Sequence, residues 1–129
     1  MIVLAASLGA AVGPARALTP PGVRYDIAVL LDTPRQRLEG WATIGYRSGA
    51  DSTLHALWLH AYPNAFSSHR TIYGREAERY GEDYDLRFAP LRDRGWMTLD
   101  SASVEGIAAR VTLEETLARI DLPRPLAPG

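Results

Sequence analysis

Residues 23–46 read VRYDIAVLLDTPRQRLEGWATIGY, and in each half of this stretch apolar or small residues recur at every second position. In the first half these positions hold Val23, Tyr25, Ile27, Val29 and Leu31. Successive side chains of a β-strand point to opposite faces, so the alternation predicts a strand with one apolar face. In the second half they hold Leu38, Gly40, Ala42, Ile44 and Tyr46, which predicts a second strand of the same kind.

The segment between these strands predicts a chain reversal. Pro34 presets the backbone of a turn, and the Asp32 side chain can accept hydrogen bonds from the local backbone. The two strands are therefore expected to form a β-hairpin.

The remainder of the chain continues this β pattern around one different segment. A loop at 48–52 precedes a continuously apolar run at 54–62, which predicts a strand covered on both faces. Residues 65–94 lose the alternation and mix acidic with basic side chains, which predicts a short helical or irregular insertion with a helix near 75–80. Three further strands are predicted at 96–104, 108–113 and 117–122. Because no helices of 10 to 15 residues separate the strands, the predicted fold is an all-β antiparallel sandwich or saddle.

Composition limits the chemistry that this chain can perform. Its 129 residues are the size of one domain, and its net charge of -1 leaves no basic surplus for a nucleic-acid partner. The sequence contains no Lys and no Cys, which excludes Schiff-base chemistry, disulfides and thiolate catalysis.

The N-terminus has the pattern of an export signal. Residues 2–15 carry no charge, and Ala15-Arg16-Ala17 is a small-x-small triplet of the kind that signal peptidase accepts. The uncharged run is shorter than the roughly 20 residues that span a bilayer, so no stable membrane span is expected. We therefore predict a signal peptide at 1–17 and a β-sandwich domain at 18–129. The predicted location is periplasmic or extracellular, or at the membrane through an uncleaved N-terminus.

The histidines and serines do not form a recognisable catalytic motif. His55 and His60 are five residues apart, a spacing that places two side chains on different faces of either a strand or a helix. No His-Glu-x-x-His sequence is present, and Ser67-Ser68-His69 lacks the flanking glycines of a nucleophile elbow. We predict no catalytic residue, metal ligand or cofactor in this chain.

The acidic and aromatic residues also have simple structural interpretations. Asp83-x-Asp85 lacks the further oxygen ligands and the glycine of a calcium loop, so residues 76–85 are interpreted as a solvated charged segment. Aromatic residues at strand spacing usually belong to a core. Core positions are accordingly predicted for Trp41, Trp58, Trp96, Tyr46, Tyr62 and Phe66.

Several of these segments resemble, in order and spacing, the N-terminal domain of an aminopeptidase N-like zinc metallopeptidase of the gluzincin family. The matching segments are YDIAVLLD at 25–32, LEG at 38–40, IGY at 44–46, LWLHAYPNAF at 57–66 and ARIDLPRPLAPG at 118–129. The resemblance implies an antiparallel β-sandwich or saddle that lies beside a separate catalytic domain. That domain holds zinc through His-Glu-x-x-His and a further Glu, none of which matches a residue here.

The resemblance implies a non-catalytic portion of an exported peptidase, truncated before the catalytic domain that would be its partner. Zinc is then expected only in the full-length protein. Residues 123–129 read as a turn without a following strand, which predicts an open sheet edge and an incomplete domain. The alternative from another functional class is a stand-alone secreted β-sandwich that binds protein or carbohydrate through its aromatic residues.

Overall fold

The computed structural model describes residues 2–5, 22–81 and 84–128. Its strands are β1 (Ile2–Ala5), β2 (Gly22–Asp32), β3 (Arg37–Arg47), β4 (Leu54–His60), β5 (Ala102–Val104), β6 (Ile107–Ala109), β7 (Val111–Glu114) and β8 (Leu117–Leu126). Its helices are α1 (Ile72–Tyr80) and α2 (Tyr84–Phe88), with 3-10 turns at Tyr62–Phe66 and Leu91–Asp93. The predicted all-β fold with a small helical insertion is confirmed.

The predicted hairpin is formed by β2 and β3. The two strands pair antiparallel along their whole length, from Gly22 opposite Arg47 to Asp32 opposite Arg37. The turn closes with a 3.2 Å hydrogen bond from the Gln36 amide to the Thr33 carbonyl oxygen. This register places the alternating apolar residues of both strands on one face, because residues directly opposite each other share a face.

The hairpin is one end of a five-stranded sheet with the order β2-β3-β1-β5-β6. Strand β1 pairs parallel with both β3 and β5, so the sheet is not wholly antiparallel as predicted. A parallel pair requires a long connection, and residues 6–21 lie between β1 and β2 in the sequence. Residues 2–5 belong to the predicted signal peptide, whereas 6–17 lie outside the described residues.

The remaining strands form a three-stranded sheet with the order β4-β8-β7. Strand β8 runs through Pro123 and Pro125 to Leu126, so the turn predicted from residue 123 is wrong as far as Leu126. The Asp121 amide donates to the Arg110 carbonyl oxygen at 3.0 Å, toward the chain that leads into β7. Pro123 and Pro125 lie two and four residues after Asp121, so their backbone nitrogens face the same side of β8 as the Asp121 amide. Proline has no N–H, so neither residue leaves an unpaired donor on that side.

Two other strand predictions require correction. The predicted strand at 96–104 is regular only in β5, and the predicted strand at 108–113 is divided into β6 and β7 around Arg110. The Met97 amide donates at 2.6 Å to the side-chain oxygen of Asn64 rather than to a neighbouring strand. Side-chain bonding of this kind competes with a strand ladder, and alternation alone does not reveal it.

Contacts divide the chain into two compact units, 1–57 with 99–111 and 120–129, and 58–98 with 112–119. In the first unit the buried apolar side chains among the described residues are Ile44, Ala102, Val104, Ile120 and Leu126. In the second unit the buried apolar residues that the structure describes are Ala61, Ala77 and Ala118. The core of the second unit thus consists of small side chains, which bury little apolar surface. The stability of this unit therefore depends more on its hydrogen bonds than the stability of the first unit does.

Candidate functional site

The most prominent surface feature of the first unit is an uncovered apolar strip on the hairpin. We call it the hairpin strip and define it as Val23, Tyr25, Ile27, Val29, Leu31 and Leu38. Each of these side chains is between 49% and 67% exposed. An apolar patch that is continuous along two paired strands usually marks a contact surface, whereas apolar side chains exposed singly are ordinary.

The opposite face of the hairpin carries the charges. Arg37 and Glu39 form an ion pair at 3.1 Å, and Asp32 pairs with Arg35 at 2.7 Å at the turn. The side-chain and backbone hydrogen bonds from Arg35 hold the pKa of the Asp32 carboxyl below its ordinary value. The hairpin is therefore amphipathic, with one uncharged face.

The aromatic side chains predicted to be core residues are largely exposed, which corrects that prediction. Exposure is 58% for Trp41, 53% for Trp58 and 63% for Trp96. Tyr62 and Phe66 are also exposed, and Tyr46 is half-buried. The exposed Trp58 shows in addition that β4 is not covered on both faces as predicted. The period of two assigns a residue to a face, but it does not say whether anything covers that face.

Two aromatic contacts in the second unit involve a charged or polar partner, and a third joins the rings of Phe66 and Tyr73. The Arg119 guanidinium lies 5.8 Å from the centre of the Trp58 ring, within the range of a cation–π contact. His60 stacks on Tyr62 with ring centres 4.6 Å apart. Exposed aromatic rings of this kind offer faces on which a ligand can stack.

The structure does not bring the histidines and acidic residues together as the ligands of a metal ion. His55 and His60 lie on β4, His69 lies in the turn before α1, and the buried Nδ1 of His69 has no hydrogen-bond partner. Within 2–5, 22–81 and 84–128, no three or more His, Cys, Asp or Glu side chains are close enough to hold a metal ion. In the acidic segment Glu78 pairs with Arg87. Residues 82 and 83 and the side chain of residue 85 lie outside the described structure.

Asn64 is the central polar residue of the second unit, and it is not among the residues predicted from the sequence to form a site. It is 8% exposed. Its Nδ2 donates to the Glu115 carbonyl oxygen at 3.0 Å, and its Oδ1 accepts from the Met97 amide at 2.6 Å. Its own carbonyl oxygen accepts from the Ser67 hydroxyl at 2.7 Å. The strand predicted at 54–62 ends just before Pro63 and Asn64, and a lone Asn beside apolar residues is the signal that could have found it.

The first unit also contains a pocket of about 280 Å³. Most of its lining is apolar, including Tyr46, Leu57, Ile107 and Leu122. Glu105 and Arg124 supply its charged groups. This mostly apolar lining fits an apolar group.

No protein-family model, curated protein or solved structure matches the chain. Among the described residues, no helix is long and apolar enough to span a bilayer.

Proposed function

We propose that this chain is the non-catalytic N-terminal β portion of an exported zinc peptidase similar to aminopeptidase N. It flanks an active site that a separate catalytic domain supplies, and zinc belongs to that domain. The observation that carries the proposal is the hairpin strip, an uncharged face of two long paired strands that is left open to solvent. The choice of the peptidase catalytic domain as the occupant rests on the sequence resemblance.

The hairpin strip suits a rigid docking role. Burying apolar side chains contributes about 25 cal/mol per Å² removed from water, and β2 and β3 hold these residues in one register without further ordering. The strip itself has no charge, so its partner surface must be apolar. The charges on the opposite face of the hairpin then remain in water.

The DNA that follows codon 129 tests the covalent form of this proposal. The expected result is a continuing reading frame that encodes His-Glu-x-x-His within a few hundred codons. A stop codon with no peptidase gene nearby would contradict it.

A binding experiment tests the docking surface directly. The full chain is mixed with the catalytic domain of the aminopeptidase N-like enzyme from the same genome, and binding is measured by calorimetry. Ile27→Asn places an amide in the hairpin strip and should weaken binding about tenfold, the effect of one lost apolar anchor. Leu30→Asn is the matched control, because Leu30 is equally exposed but lies on the other face. No binding, or equal effects of both variants, would refute the docking role.

The predicted export signal has its own test. Mass spectrometry of the protein from the periplasm or medium should show a chain that begins at Leu18. Cleavage there removes β1 and opens the facing edges of β3 and β5. An intact N-terminus in a cytoplasmic fraction would refute export.

The exposed tryptophans favour one alternative, a stand-alone secreted protein that binds carbohydrate or protein through aromatic rings. Tryptophan fluorescence during titration with cello-, chito- and malto-oligosaccharides distinguishes the two proposals. A saturable change that Trp58→Ala or Trp96→Ala removes would favour the alternative.

A further inference from the structure

Strand β2 has an open edge. It is the terminal strand of the five-stranded sheet, and nothing in the described part of the chain pairs with its outer side. It is 11 residues long and contains no proline. Long, regular edge strands without proline are templates for pairing with another chain, because their outward N–H and C=O groups are unpaired.

One contact shows which residues of β2 direct their backbone N–H and C=O groups toward β3 and which direct them toward the open edge. The Ala28 carbonyl oxygen faces Gly40 on β3, so close that a Cβ at Gly40 would collide with it. Backbone direction alternates along a strand in an antiparallel pair. Even-numbered residues of β2 therefore bond to β3, and odd-numbered residues from Tyr25 to Leu31 present their backbone groups to the open edge.

This alternation restricts how two copies of β2 can pair. In an antiparallel pair related by a two-fold axis, residue i lies opposite residue j and j lies opposite i. Two residues of β2 can form a hydrogen-bonded pair across the interface only if both present their backbone groups to the open edge, which means that both are odd-numbered. The sum i + j is therefore even. Each even sum defines one register.

The charges on β2 select among these registers. Its charged side chains are Arg24, Asp26 and Asp32. Sums of 52 and 58 place aspartates opposite each other, which is unfavourable. A sum of 54 forms no ion pair, and a sum of 50 also places Arg24 opposite Asp26 but pairs only residues 22–28, a shorter ladder. A sum of 56 pairs residues 24–32 and places Arg24 opposite Asp32 at both ends.

We propose that two copies of this chain pair antiparallel through the open edges of β2, with Arg24 of each copy opposite Asp32 of the other. Ala28 lies on the two-fold axis, and the five-stranded sheets of the two copies become continuous. The strand edge, not the hairpin strip, forms this interface. The inference is therefore independent of the proposed peptidase role, and either can fail alone.

Cysteine cross-linking tests the register. The chain has no native cysteine, so each introduced thiol is unique. In the proposed register the two Ala28 Cα atoms form a non-hydrogen-bonded pair about 4.5 Å apart, within the range of a disulfide. Under mild oxidation Ala28→Cys should form a reducible dimer. Leu30→Cys is the control, since its two Cα atoms would lie on the order of 13 Å apart, four residues along the ladder.

The outcomes of the cross-linking experiment separate the registers. Rapid cross-linking of Ala28→Cys with little from Leu30→Cys supports the proposal. Preferential cross-linking of Ile27→Cys or Tyr25→Cys would indicate a sum of 54 or 50 and refute the proposed ion pairs. Equal cross-linking at all positions would indicate random collisions and refute the interface.

Charge exchange tests the ion pairs in solution. Light scattering of the full chain should give a mass twice that of the 14.1 kDa protomer. Arg24→Asp should raise the dimer Kd about tenfold or more, because two ion pairs become two repulsions. Arg24→Asp with Asp32→Arg should restore the dimer. A monomeric wild-type protein at 100 μM, or no effect of Arg24→Asp, would overturn the proposal.

The cross-linking experiment still tests the proposal if the charge-exchanged protein does not fold. Asp32→Arg removes the bonds that Asp32 accepts from Arg35 in the turn. The Ala28→Cys experiment leaves this turn intact, so it decides the matter if the doubly exchanged protein fails to fold.

Discussion

The side-chain amide of Asn64 donates to the backbone carbonyl oxygen of Glu115 at 3.0 Å, across 51 residues of sequence. Glu115 also accepts from the Ile72 amide through its Oε2, at 3.1 Å. One turn of the β7–β8 hairpin thereby holds both the 3-10 turn at 62–66 and the start of α1. The second unit is organised around these polar contacts, because its buried apolar residues are small.

Replacing Asn64 should therefore destabilise the second unit. Asn64→Ala leaves the Met97 amide and the Glu115 carbonyl oxygen without their partner, at a cost of about 1–3 kcal/mol in the free energy of unfolding. Urea unfolding followed by circular dichroism measures this change. Gln36→Ala on the exposed turn is the control and should change the free energy by less than about 0.5 kcal/mol. Equal effects of both substitutions would contradict the role assigned to Asn64.

A pair of glycines on β3 provides a test of the hairpin geometry. A Cβ at Gly40 would collide with the Ala28 carbonyl oxygen, whereas at Gly45 the nearest atom is the Arg24 Cβ at 3.7 Å. Gly40→Ala should destabilise the protein by about 1–3 kcal/mol through overpacking. Gly45→Ala should be neutral or slightly stabilising, because alanine loses less conformational freedom on folding. Denaturant unfolding of the two variants should rank them in this order, and the reverse order would disprove the described register.

Thr71 begins α1 and gives a third test. Its hydroxyl accepts from the Gly74 amide at 3.1 Å and is positioned within 2.7 Å of the Ala65 carbonyl oxygen, to which it donates. Thr71→Val keeps the shape and removes both bonds, so it should lower the free energy of unfolding by about 1–2 kcal/mol. Thr71→Ser retains the hydroxyl and should recover most of the loss. Thermal unfolding of the two variants compares them directly.

The hairpin could be predicted from the sequence because both of its determinants are local. Alternation from Val23 to Leu31 sets the faces, and Pro34 with Asp32 sets the turn. The exposure of Trp41 and Trp58 could not be predicted in this way, since it depends on which surfaces lie opposite these strands. The same limit applies to the long-range bond between Asn64 and Glu115.

The strand errors have a physical cause as well. Pro123 and Pro125 indicate a turn by local propensity, yet both lie within β8 at positions where no ladder bond is needed. Conversely, the strand predicted from Trp96 is absent at its start, because the Met97 amide donates to the buried side chain of Asn64 and not to a neighbouring strand. In the second case the partner, Asn64, is 33 residues away in the sequence. The open edge predicted from residues 123–129 is a different feature from the hairpin strip, whose residues could be named only from the pairing register of β2 and β3.

Asp32 at the hairpin turn predicts a dependence of stability on acid. The hydrogen bonds from Arg35, first from its side chain and then from its backbone, lower the folded-state pKa of Asp32 from its ordinary value of 3.8. A depressed pKa means that the unfolded chain binds the proton more tightly. This contribution to stability is therefore present above about pH 4 and is lost as the pH falls through the folded-state pKa. Nuclear magnetic resonance of the carboxyl carbon should show a midpoint below 3.8 that rises in Arg35→Gln. Asp32→Asn should be less stable than wild type at pH 7 and approach it in acid; a constant difference between the two proteins would contradict the assignment.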